Sequence, residues 1–102
     1  MANVYNQEVE HWARQQRDHF HDRVNVNQDP RARMIYQEIE RIENMAQSGH
    51  TLRSIHDQMQ GVQRQLLQAQ HSNQPLMPAD HSVELYHNFE TMRNNLRRNT
   101  HF

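Results

Sequence analysis

Nine histidines are the residues of this chain most open to chemistry. Two of them stand in Glu-x-x-His pairs, Glu8 with His11 and Glu84 with His87. Residues three apart share a helical face, and two such pairs plus two further Glu can hold a di-metal centre inside a bundle. Helical geometry turns these pairs outward. At about 100° per residue, His11 falls roughly 200° from the centre of a Tyr5/Val9/Trp12 stripe, and His87 about 180° from a Leu85/Phe89/Met92 stripe. Both imidazoles are expected at solvent. His19-Phe20-His21-Asp22 is the densest cluster, but His19 and His21 diverge by about 200° on a helix and cannot grip one ion together. A site shared between chains is the one metal arrangement this leaves, since imidazole suits zinc, copper and nickel. No resident metal and no cofactor are therefore expected. His81 and His19 lie nearest the apolar stripes and are expected to be hydrogen-bonded flank residues.

Covalent catalysis finds few groups to use. The sequence has no Cys, which excludes a thiolate nucleophile, a disulfide scaffold and a Cys-ligated metal. Its serines fall at expected caps, turns and helix surfaces, and no Gly-x-Ser-x-Gly elbow occurs. Two Gly are too few for a phosphate-cradling loop or a dinucleotide fingerprint. Glu38, Glu40 and Glu43 run beside Arg31, Arg33 and Arg41, the pattern of a solvated charged face. The expectation is a protein that is not an enzyme.

Nucleic-acid reading has a more specific candidate. The run Met45 to Ile55 partly resembles a helix-turn-helix, with a Gly49 turn, Thr51 as cap, and a following helix carrying Arg53, His56, Gln58 and Gln60. Those four side chains could contact base edges from a major groove. Against this, the preceding helix is long, His50 replaces an apolar turn residue, and the formal charge is only −1. Such a DNA-binding regulator is kept as the alternative reading.

All of these residues must be positioned by helices. Apolar residues recur at spacings of 3 and 4 in four segments, near 3–24, 30–47, 51–71 and 80–99, within one domain spanning 1–102. Asp29-Pro30 is a start signal, an N-cap followed by Pro at the first helical position. Asp80 is expected to cap the fourth helix. Ile35, Ile39, Ile42 and Ala46 form one seam. Leu52, Ile55, Met59, Val62, Leu66 and Ala69 form the most regular one. Only Ser48-Gly49-His50 separates segments two and three, so their fusion into one long helix stays open. No alternating strand pattern competes. The expected fold is all-α, an antiparallel bundle of about four helices, with coiled-coil-like seams that could also join chains.

Leu, Ile, Val and Phe together make up 19 of 102 residues, a thin core that would gain from a partner. Several apolar residues fall off the seams, among them Met34, Tyr36, Leu67, Met77 and Tyr86. Adaptable Met and amphipathic Tyr recur at binding faces. These five are the expected partner-binding residues, with another protein or a second copy in a homodimer as the occupant. No apolar run approaches membrane-spanning length, and the N-terminus lacks the basic-then-apolar start of a secretory signal. A cytoplasmic location is expected.

All eleven cationic side chains are Arg, where a chain of this length would ordinarily carry roughly six Lys. Arg gives planar, bidentate, always-charged contacts. Lacking Lys also removes the acceptor for ubiquitination and acetylation. That would suit a phage-, virus- or pathogen-encoded factor working inside a host cell. The nine His make the charge balance fragile, since protonating all of them would move it from −1 to +8.

Overall fold

The computed structural model describes residues 4–100. They form four helices: α1 (Val4–Arg23), α2 (Pro30–Gln47), α3 (Leu52–Gln70) and α4 (Ala79–Thr100). No strand occurs among the described residues. Each helix packs on its neighbours in the order α1–α2–α3–α4, and α4 returns to α1 over a shorter stretch. The packing is that of a helical bundle, 41 × 23 × 17 Å.

Helix starts follow local chemistry. The Asp29 side chain accepts from the Arg31 backbone N–H at 2.9 Å, and Pro30 occupies the first helical position of α2. Thr51 Oγ1 accepts from the Ser54 backbone N–H and caps α3 in the same way. Helix α4 corrects the expectation for Asp80. The chain enters the helix earlier, with the Pro78 carbonyl accepting from Ser82 N–H, so Asp80 lies inside the first turn. A carboxylate there still faces the positive end of the helix dipole.

Segments two and three do not fuse. Gly49 adopts φ 74°, the left-handed region that favours glycine. Its N–H donates to the Ala46 carbonyl while His50 N–H donates to the Met45 carbonyl. That pair of bonds is a Schellman motif, which satisfies the last carbonyls of α2 and turns the chain back.

The seams read from the sequence become the core. Ile39, Ile42, Ile55, Met59 and Val62 are fully buried, with Ile35 and Leu66 nearly so, and Phe20 of α1 and Phe89 of α4 are buried with them. The seams therefore close on one another within a single chain. Tyr5 departs from its expected place in the α1 stripe, being 38% exposed. Asn6, the next residue, takes the inward position instead.

Polar side chains lock the edges of each interface. The Asn6 amide donates to the carbonyls of Ala46 and His50, joining the start of α1 to the end of α2. Gln16, buried as its place in the α1 stripe implies, accepts from the Asn88 amide of α4 at 3.2 Å. One turn earlier Trp12 meets Phe89 edge-on, with ring centroids 4.8 Å apart. Between α2 and α3, the Gln58 amide donates to the Glu38 carboxylate.

The two glycines should respond to Ala in opposite directions. Gly49→Ala places a Cβ in left-handed backbone and should cost about 1–2 kcal/mol. Gly61 lies within α3, and a Cβ there meets nothing within 4 Å, so Gly61→Ala should stabilise by about 0.5–1 kcal/mol. Urea denaturation of both variants checks the sign of each change.

Candidate functional site

Only some of the expected partner-binding residues come together. Leu67 on α3 is 44% exposed, and Tyr86 on α4 is half-buried. Both line a groove of about 420 Å³ between α3 and α4, with Val83, Gln70, His71 and Ala79. Val83 is 67% exposed. It was missed because it falls beside the Leu85/Phe89 stripe and reads as an isolated Val. Its spacing of three from Tyr86 was the available signal.

Met34 belongs elsewhere. It is 55% exposed over a second, smaller groove of about 270 Å³ between α2 and α3, lined also by Pro30, Gln65 and Ala69. Tyr36 lies on the α1 side of α2, half-buried, its ring 5.8 Å from that of His21. Met77 corrects its expected surface role. It is buried, because its carbonyl accepts from the Gln70 amide at 2.7 Å and its N–H donates to Gln70 Oε1. These bonds draw the loop before α4 back across the bundle.

The four residues of the helix-turn-helix reading do not share a face. Arg53 and Gln60 are exposed, but His56 is buried with Nδ1 3.3 Å from Asp57, and Gln58 turns to α2 to bond Glu38. α2 and α3 also lie side by side, since Arg31 at the start of α2 reaches the Ala69 carbonyl at the end of α3. Two of the four side chains are exposed, one is buried and one is bonded to α2.

The histidines are dispersed. His11, His19, His21 and His87 are exposed, and among the described residues no three His, Asp or Glu converge as a metal-holding group. His81 corrects its expected hydrogen bond, for its Nδ1 is buried and has no partner among the described residues.

Two ionic clusters are structural. Glu43 is buried on α2 between Arg14 and Arg17 of α1, each donating at 3.0 Å to a different carboxylate oxygen. Partial burial by itself would lower the Arg17 pKa. Glu43, with Tyr36 and Asp18, more than offsets it and holds the guanidinium above its ordinary value. Arg31 is the second hub. It donates to both Asp29 oxygens and to Ala69 O, Ser72 Oγ and Gln74 O, so one guanidinium ties the start of α2 to a carbonyl in the last turn of α3 and to the loop that follows. The hydrogen bonds from Arg31 hold the Asp29 carboxyl below its ordinary value, and Asp29 raises Arg31 in turn.

The remaining arginines differ. Among the described residues, Arg53, Arg64, Arg93, Arg97 and Arg98 of α3 and α4 have no carboxylate within 4.0 Å, nor do Arg33 and Arg41 of α2. Arg93 donates to Gln63 Oε1 at 2.6 Å, and the Gln63 amide donates to the Tyr86 carbonyl. Gln63 thus fixes the register of α3 against α4.

Comparison with protein-family models, with curated proteins and with solved structures finds no match for this chain.

Glu43→Gln should destabilise by about 1–3 kcal/mol, because it leaves two guanidinium groups facing a neutral amide in a partly buried setting. Arg14→Ala, at an exposed position, should cost less than about 1 kcal/mol. Chemical denaturation of the two variants checks the ordering. Asp29 sets an acid limit. Its carboxyl is lowered in the fold, so its contribution is present above the ordinary value of 3.8 and is lost as pH falls through the lower folded value. Asp29→Asn keeps a capping side chain but cannot titrate. Its melting temperature should therefore fall less than that of the parent chain between pH 4 and more acidic conditions, about the window in which an Asp titrates. Thermal melts across that range read the difference.

Proposed function

We propose that this chain is a small non-enzymatic helical protein–protein interaction module, an adaptor, inhibitor or accessory subunit. The finer architecture we assign is an antiparallel up-and-down bundle working in the cytoplasm. One observation carries the reading. Leu67, Val83 and Tyr86 converge from two helices on a groove of about 420 Å³, while the core seams are already consumed within the chain. Exposed apolar side chains gathered in a concavity, rather than scattered singly, mark a surface suited to a partner. The rim is polar, with Gln70, His71, His87 and Glu90, as the edge of a non-obligate interface usually is. A second copy of the chain is one candidate occupant and an unrelated protein is the other. The absence of Lys fits a factor encoded by a phage, virus or pathogen and exposed to a host's Lys-directed modification.

A benzoylphenylalanine crosslinker at Val83, with a control at exposed Gln37 on α2, tests this in cells expressing the chain beside its native partners. The expected result is one discrete adduct from position 83, absent from position 37 and lost when Leu67→Glu is added. No adduct, or the same ladder from both positions, would reject the interaction reading.

A further inference from the structure

Beyond the groove, the flanks of α3 and α4 that form it carry further side chains. On α4, Val83, Tyr86, Glu90, Arg93 and Arg97 follow at spacings 3, 4, 3, 4, and so lie along one flank. The bonds from Arg93 to Gln63 and from Gln63 to Tyr86 show that this flank is the one facing α3. On α3, Leu67, Gln63, Gln60 and His56 form the matching flank at spacings 4, 3, 4. The register is fixed just before the stretch, with Gln70 beside Met77, and again at its middle, with Gln63 between Tyr86 and Arg93. The α3/α4 face therefore carries the apolar groove at Leu67, Val83 and Tyr86 at one end and two arginines, Arg93 and Arg97, at the other. From Val83 to Arg97 it spans about 21 Å at 1.5 Å per residue, about four helical turns.

Charge at the cationic end is unspent. Arg97 is exposed and has no carboxylate within 4.0 Å among the described residues. Arg93 gives one N–H to Gln63, and its buried Nε has no acceptor among the described residues. The nearby acids are few. Asp57 lies against His56, and Glu90 stands midway along α4, where it would repel a second carboxylate and push it toward the arginines.

We infer that the α3/α4 face takes an amphipathic helix from a partner protein, with a large apolar anchor in the groove and carboxylates two to three turns away for Arg93 and Arg97. The inference rests on reading this groove as partner-binding and adds the partner's chemistry. An apolar groove continued by a row of side chains over that length matches the anchor spacing of helix recognition. Arginine suits the acidic end because its planar fork pairs a carboxylate bidentately and is weakly hydrated.

A yeast-displayed library of helical peptides of about 18 residues, long enough for that stretch, tests it on the full chain. Enriched clones should carry Asp or Glu two to three turns from a Leu, Ile or Phe. Arg97→Glu should weaken the best clone at least about tenfold, with a shallower salt dependence. Arg98→Glu makes the same charge change off that face and should leave binding intact. All these positions are exposed, and circular dichroism melts confirm that each variant folds. Clones that need Leu67 but show no acidic enrichment, or that ignore Arg97→Glu, would overturn the inference and leave the interaction module standing. No clone sensitive to Leu67→Glu would overturn both. Arg97-dependent binding of a labelled DNA duplex, with no peptide enriched, would assign the charge to phosphate instead.

Discussion

The narrowness of each apolar seam is the constraint from which the rest of the structure follows. A helix that buries only about two positions in seven leaves polar residues at the very edge of its contact. Those residues are too close to the core to be fully hydrated, so each needs a partner inside the fold. Asn6, Gln16, Glu43, Gln58, Gln63 and Gln70 all meet this need with a side chain or carbonyl of a neighbouring helix or loop. A wider apolar face would have made the same bundle tighter and less particular about register.

Those edge bonds do more than satisfy polar atoms. Burial of Leu and Ile is nearly indifferent to a slip of one helix along another by a turn, because one apolar residue replaces the next. A side-chain amide aimed at one carbonyl is not indifferent. Gln63 illustrates it. Its two ends hold Tyr86 and Arg93, seven residues apart on α4, so a one-turn slip would break both bonds at once. Glu43 does the same between α1 and α2 by gripping Arg14 and Arg17 with separate oxygens. Such groups add modest net stability and a large penalty for the wrong register. The groove between α3 and α4 inherits its shape from the register that Gln63 sets.

Much of the fold could be read in the residues, and the reasons for the misses are specific. Period-3/4 spacing located all four helices, because burial selects one face whatever the tertiary context. Asp29-Pro30 and Thr51 marked starts through chemistry confined to two or three neighbouring residues. Asp80 misled because the Pro78 carbonyl was an equally good first acceptor, which a side-chain preference cannot reveal. The candidate site was less legible. Met77 looked like a spare apolar residue in a loop, and only the Gln70 bonds, made across a chain reversal, bury it. Leu67 and Tyr86 were separately visible as off-seam residues. Nothing in one dimension joined them, or added Val83, until α3 and α4 were set side by side.

The absent lysine divides along the same line. Arg31 reaches five acceptor atoms on four residues, and Arg17 spans Glu43 and Asp18. A compact ammonium with three donors at one point could not cover either arrangement. For these positions the fold itself demands Arg. It makes no such demand of Arg53, Arg97 and Arg98, which face solvent with no carboxylate partner among the described residues. A Lys would serve there if solubility were the only requirement. Arg at positions that stability does not govern fits the proposed requirement from outside the folded chain. Bidentate capture of a partner's carboxylate at Arg97 meets that description, since a guanidinium loses less hydration than an ammonium when a second protein covers it.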